Sequence, residues 1–155
     1  MAIKSFRGQI IDQGQDTIVL HTNNGSTGYR IVKFEVFPAG ATGAFSYESF
    51  VSIFKVQQSS VPGDGVPNFE DNTLIACAYY TQSSSGATNP EDINVVFDNE
   101  IFNQDIYITH SNSESSAAIN YYMELEQIKL DLNENTVATL KDIRNIKSQW
   151  VNNII

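Results

Sequence analysis

Positive charge is missing from the middle of this chain. Between Lys55 and Lys129 there is no lysine or arginine, whereas eleven carboxylates fall there: Asp64, Glu70, Asp71, Glu91, Asp92, Asp98, Glu100, Asp105, Glu114, Glu124 and Glu126. Binding a phosphate backbone takes cations that displace its counterions, so this stretch argues against nucleic acid as its partner. Over the whole chain 18 acidic residues face 9 basic ones, for a net charge of −9. The simplest use of such a surface is solubility. Docking of a basic partner, or a Ca²⁺ site, is the sharper alternative.

Other absences narrow the class further. Cys77 is the single cysteine of the chain, set in the apolar run 74–80, so no disulfide is available and a buried, inert thiol is expected. No stretch approaches the roughly 20 apolar residues of a membrane span. Residues 1–6 carry no apolar core of signal-peptide length, so the expectation is a soluble protein folding in a cytoplasm. A chain of 155 residues fits one domain, burying roughly 70% of its unfolded surface without metal or disulfide staples.

The residues of chemistry are scarce too. The two histidines, His21 and His110, have no close histidine partner, so both are expected at the surface or in turns and not as metal ligands. There is no Gly-x-Ser-x-Gly, and serines such as Ser83, Ser84 and Ser85 sit in loop-like sequence. Pro62-Gly63-Asp64-Gly65 is turn chemistry without the lysine of a phosphate loop. Asp98, Glu100 and Asp105 bracket Ile101-Phe102 and could hold Ca²⁺ at a β-corner, but an ordinary turn at Asp98-Asn99 is favoured. The reading is of a protein that is no enzyme and takes no cofactor.

What is present is mostly β pattern. The run 17–22 ends in Asn23-Asn24-Gly25, the sequence of a type I′ hairpin turn, and 29–37 returns with Val32, Phe34 and Val36 on one side. Phe50, Phe54 and Val56 share one face of the next strand, Val51 and Ile53 the other. The run 74–81 is apolar on both faces, as a covered central strand is. Ile93, Val95 and Phe97 alternate with polar neighbours, and so do Ile106 and Ile108. In Tyr79-Tyr80 and Tyr121-Tyr122 adjacent rings must point to opposite faces, so one of each pair is expected in the core. The last β run, 117–132, places Ile119, Tyr121, Met123 and Leu125 on one face, then changes phase to Ile128, Leu130 and Leu132. A bulge near Glu126-Gln127 would account for that change.

These short strands predict a mainly β fold: an antiparallel β-sandwich of jelly-roll-like connectivity over 1–132, with one amphipathic C-terminal helix over 133–155. Asn133 serves as N-cap with Leu132 and Val137 as staple, or Asp131 with Glu134 as a competing capping box. On a helical wheel Val137, Leu140, Ile143, Ile146, Trp150, Val151 and Ile154 share one half-cylinder, into which Thr139 and Lys147 also fall. A stripe this wide needs a surface, either its own sandwich or a neighbouring subunit. Leu140, Ile143, Ile146, Trp150 and Ile154 are the expected contact residues, with Trp150 the best anchor by type.

Three stretches carry a resemblance. Gly28-Tyr29-Arg30-Ile31-Val32-Lys33-Phe34, Asp98-Asn99-Glu100-Ile101-Phe102-Asn103-Gln104-Asp105-Ile106-Tyr107-Ile108 and Ile119-Asn120-Tyr121-Tyr122-Met123-Glu124-Leu125-Glu126 resemble segments of small virion structural proteins from marine tailed bacteriophages. In such proteins the middle segment is similar: acidic residues, an apolar pair, then an aspartate leading into a strand. The resemblance implies a head decoration, cement or minor capsid component, assembled in the host cytoplasm and located on the virion. It supplies no catalytic residues. The partners it implies are further copies of the chain, a trimer included, and a major capsid or other virion protein, with neither nucleic acid nor membrane. The rival reading is a carbohydrate-binding or receptor-binding β-sandwich, which would show aromatic rings on an exposed face.

Overall fold

The computed structural model describes residues 2–39, 46–61, 67–82, 91–114, 116–131 and 139–140. Eight strands follow in order: β1 (Ala2–Ile10), β2 (Gln15–Ile18), β3 (Thr27–Pro38), β4 (Tyr47–Phe54), β5 (Leu74–Gln82), β6 (Glu91–Phe97), β7 (Ile106–Asn112) and β8 (Ile119–Lys129). They form a three-stranded sheet, β1-β8-β3, and a five-stranded sheet, β2-β7-β4-β5-β6, with every ladder antiparallel. The two sheets share one core. Ile10, Phe34, Ile119, Met123 and Leu125 of the smaller sheet meet Val51, Ile53, Tyr80, Ile106 and Ile108 of the larger. Burying each such side chain is worth about 1.5–3 kcal/mol, and this packing is what makes the fold a β-sandwich.

The nesting of the strands is informative. A jelly roll is a long eight-stranded hairpin rolled up, in which the first strand pairs with the eighth, the second with the seventh, the third with the sixth and the fourth with the fifth. Three of those four pairings are present: β1 with β8, β2 with β7 and β4 with β5. The remaining one is reduced to a single bridge, in which Tyr29 and Phe102 exchange both backbone hydrogen bonds at 2.8 and 3.0 Å. β6 lies beside β5 instead, as the edge of the larger sheet. Beyond Tyr29 the outer edge of β3 therefore has no ladder partner among the described residues.

The expected strand runs are found, with corrections that have identifiable causes. β2 and β3 do not form a hairpin, because one pairs with β7 and the other with β8. Gly25 has the expected positive φ of 66°, but Asn24 does not share it. The Asn24 side-chain oxygen instead accepts from the Ser26 N–H at 3.1 Å, and the Ser26 carbonyl accepts from Leu130 N–H at 2.8 Å, which sends the chain across to the smaller sheet. β1 is an edge strand with no legible alternation, since only Ile10 in it is fully buried.

The bulge sits elsewhere than expected. β8 keeps its register with β1 and β3 through Gln127, and the extra residue is Val32 of β3, between the pairs Ile31–Leu125 and Lys33–Glu124. Tyr29 and Ile31 before it and Phe34 and Val36 after it all point into the core, so Val32 is the residue that resets the phase, and it is itself exposed. Of the segment 133–155 only Thr139 and Leu140 are described; their backbone is helical, but no helix is among the described elements. The Asn133 cap, together with Ile143, Ile146, Trp150 and Ile154, lies outside the described residues.

Candidate functional site

The groups singled out by type are mostly taken up by structure. His110 is not a surface residue: it is 0% exposed, in the middle of the sandwich. Its Nδ1 lies 3.1 Å from the Ile10 carbonyl oxygen and 3.2 Å from that of Ile11, so Nδ1 carries the proton. Nε2 then accepts from the Ser49 hydroxyl at 3.0 Å, which fixes a neutral tautomer with both nitrogens satisfied. Burial lowers its pKa below the ordinary histidine value, prevailing over the two carbonyls and Asp12, which pull the other way. The imidazole thus pins β7 to β4 and to the β1–β2 turn.

Of the three carboxylates at the β6–β7 corner, Asp98 is exposed and the other two are engaged. Glu100 accepts from Lys55 Nζ at 2.9 Å, and the Lys55 side chain is only 1% exposed. Asp105 Oδ1 accepts from Leu20 N–H at 2.9 Å, His21 N–H at 3.0 Å and His21 Nδ1 at 2.7 Å. Burial would raise the Asp105 pKa, but the hydrogen bonds from His21 and Leu20 together hold it below its usual value. Among the described residues no group of three or more metal-type side chains converges. Cys77 is half-buried, and burial with the nearby Asp98 pushes its thiol pKa up, away from reactivity.

Both tyrosine pairs divide as expected. Tyr80 and Tyr121 are in the core, and Tyr79 and Tyr122 lie on the outer faces. Tyr79 packs on Phe50 with ring centroids 4.7 Å apart. Tyr121 lies against Gly8, where any Cβ would sit 2.8 Å from its hydroxyl oxygen, so the close approach requires glycine at that position. Its hydroxyl donates to Asp16 Oδ2 at 3.3 Å, tying β8 to β2, and burial first and Asp16 second push its pKa up to about 12.

Tyr122 stands at the centre of a more suggestive arrangement. The registers of β1, β8 and β3 place side chains on the outer face in rows perpendicular to the strands, about 4.8 Å apart across the sheet. One row reads Arg7, Tyr122, Glu35; the next on one side reads Gln9, Asn120, Phe37, and on the other Ser5, Glu124, Lys33. Lys33 Nζ lies 5.6 Å from the Tyr122 ring centroid and 3.8 Å from Glu35. The Tyr122 hydroxyl donates to Glu124 Oε1 at 3.0 Å, and Gln9 donates to the Asn120 side chain at 3.0 Å. Arg7, Lys33, Glu35, Phe37, Asn120 and Tyr122 line a shallow depression there, open to solvent, of about 670 Å³. Sequence reading missed Arg7 and Gln9 because β1 shows no alternation, and missed the rows because they exist only through the register.

A second feature is the open flank. β6 exposes Ile93 (49%), Val96 (51%) and Phe97 (41%), an unusual share of apolar surface for an edge strand. Ile93 and Phe97 are on its inner side, opposite Tyr80 and Ala76, where the three-stranded sheet is too narrow to cover them. Ile101 adds to the exposed apolar surface of the following loop. Of the expected contact residues the structure describes only Leu140, which is 60% exposed. Its neighbour Thr139 accepts from Asn103 Nδ2 at 2.9 Å, which places Thr139 beside the loop that bridges β3. Among the described residues no helix is long and apolar enough to cross a membrane.

No protein-family model and no curated protein matches this chain. Solved structures match remotely. The core of a Drosophila NLP, described in terms of pentamer formation and histone binding, is 12% identical over 84% of this chain and all of its own, with a TM-score of 0.41. VP1 of Merkel cell polyomavirus, solved with GD1a oligosaccharide, is 5% identical over 81% of this chain and 94% of its own, with a TM-score of 0.39. VP1 of the trichodysplasia spinulosa-associated polyomavirus, solved with 3′-sialyllactose, is 6% identical over 81% and 93%, with a TM-score of 0.38. Likeness this remote carries nothing about chemistry, which rests on the side chains of this chain.

Proposed function

We propose that this chain is a non-enzymatic structural protein that works by repeated contact with copies of itself, as a decoration, cement or minor capsid component of a tailed-phage virion. The observation that supports this most is the open flank. A sandwich of this size has enough apolar residues to cover its inner faces, yet Ile93, Val96 and Phe97 remain in solvent along a strand whose outer edge has no ladder partner among the described residues. Monomeric proteins usually blunt such an edge with charge or proline; β6 has charge only at its start, in Glu91 and Asp92, and none over 93–97. The jelly-roll-like nesting and the virion resemblance point the same way.

The occupant of the flank in this reading is the C-terminal segment of a neighbouring copy. The flank is acidic as well as apolar, with Asp92 and Asp98 at the ends of β6, while the C-terminal segment combines its apolar stripe with Lys141, Arg144 and Lys147. Repetition of this modest contact around a symmetric particle gives avidity without any strong single contact. Light scattering on the full chain and on a truncation ending at Leu132 tests it. The expected result is a trimer or larger for the full chain and a folded monomer for the truncation. A full chain that stays monomeric overturns self-assembly, and a truncation with the full chain's stoichiometry overturns the role of the C-terminal segment.

A further inference from the structure

The outer face of the three-stranded sheet has no part in the assembly reading and carries its own chemistry. Outer faces of sandwiches are commonly polar, but this one combines three features that solvation alone does not need. First, two aromatic rings line the depression, the half-buried Tyr122 and, diagonal to it across the β3 ladder, Phe37, 53% exposed. Second, hydrogen-bonding side chains of different kinds surround the ring: the Asn120 amide on its own strand and the Glu35 carboxylate across the β3 ladder. Third, Arg7 sits directly across the β1 ladder from Tyr122, exposed, with no ion pair to a carboxylate among the described residues. The face carries two cations, Arg7 and Lys33, and two carboxylates, Glu35 and Glu124, and Arg7 is the cation not already set against a carboxylate.

We propose that this face binds an acidic saccharide, one sugar ring lying on Tyr122 and its carboxylate held by Arg7. Each contact has a physical reason. The C–H face of a pyranose is apolar and packs on an aromatic ring, while its equatorial hydroxyls need in-plane donors and acceptors, which Asn120 and Glu35 supply. A guanidinium matches a carboxylate with two parallel N–H···O bonds, a fit that a neutral sugar cannot use. Lys33 is a second cation: its ammonium lies over the Tyr122 ring, 5.6 Å from the centroid, and its exposed pairing with Glu35 at 3.8 Å is loose, so the sugar displaces it from the ring towards the carboxylate. The open, rigid floor of backbone-paired strands suits an extended chain of sugars better than a small enclosed ligand.

The test is calorimetric titration of the full chain with a panel of acidic oligosaccharides: trigalacturonate, trimannuronate, a glucuronate-containing trisaccharide and 3′-sialyllactose. The methyl esters of the two uronate trimers serve as neutral counterparts. At least one acidic member is expected to bind with a millimolar or tighter constant, and its affinity is expected to fall by at least roughly tenfold on esterification and again in Arg7→Gln. Tyr122→Val, which keeps strand preference and removes the ring, is expected to abolish binding with an unchanged circular dichroism spectrum. Lys4→Gln removes the same charge from the opposite side of β1 and is expected to bind as the parent does. Absence of binding by the whole panel overturns the proposal. Equal binding of acid and ester overturns the acidic assignment, and equal loss in Lys4→Gln overturns the site in favour of general charge attraction.

Discussion

At the scale of single residues, polar groups inside this sandwich act as fasteners between strands. His110 shows it best, since its tautomer follows from geometry: two carbonyls at Nδ1 leave Nε2 to accept from Ser49. The pH consequence has a definite sign. The folded-state pKa lies below the unfolded value of about 6.5, so on acidification the unfolded chain takes up the proton first. The contribution of this histidine is complete above about pH 6.5 and is lost progressively as pH falls below it towards the lower, folded-state value. Urea midpoints at pH 7.5 and pH 5.5 are expected to differ in the parent, and the difference is expected to shrink in His110→Gln. An unchanged difference would place the acid sensitivity elsewhere, and not at Asp105, whose lowered pKa removes stability only at a more acidic pH than this comparison covers. None of this was legible in the sequence, where His110 reads as a polar residue at the end of a strand. The tyrosine pairs were legible, because in a strand adjacent side chains must diverge whatever else happens.

At the scale of elements, the strands that alternate were readable and those that do not were invisible. Ile119, Tyr121, Met123 and Leu125 announce β8, whereas β1 mixes Lys4, Phe6 and Gly8 on its inner side and offers no pattern. The phase change was noticed in β8, but the irregularity belongs to its partner: Val32 is the unpaired residue, and the inward set of β3 runs Tyr29, Ile31, Phe34, Val36 around it. This makes an unusual prediction about deletions. Removing Val32 leaves strict alternation with the same residues inward and the same pairs to β8, so the variant is expected to fold at a cost of about 1 kcal/mol. Removing Phe34 instead brings either Lys33 or Glu35 to the position facing the core, and that variant is expected not to fold. Denaturant midpoints of the two single-residue deletions decide it, and equal destabilisation would mean that the bulge contributes more than a phase correction.

At the scale of the molecule, the decisive fact is that the roll does not close. Three nested pairings hold the sandwich together, and the strand that would complete the smaller sheet lies on the larger one. The sheets are consequently unequal, the inner side of β6 overhangs, and apolar surface is left where a closed barrel-like roll would have none. Sequence reading reached the class of fold because turn signals and alternation are local, but it could not reach this mismatch, which depends on which strand β6 chooses as a neighbour. If the overhang is the assembly surface, it can be blunted by the device that monomeric proteins use. Ile93 and Val96 are about half exposed on opposite sides of β6, so Ile93→Lys with Val96→Lys adds charge without opening the core, at a cost within about 1 kcal/mol. The double variant is expected to keep the parent's thermal midpoint within a few degrees and to run as a monomer at concentrations where the parent is oligomeric. Retention of the parent's mass by light scattering would show that the copies meet elsewhere. The outer face of the three-stranded sheet would then be the next surface to charge, and the saccharide titration repeated on that variant would separate the two roles.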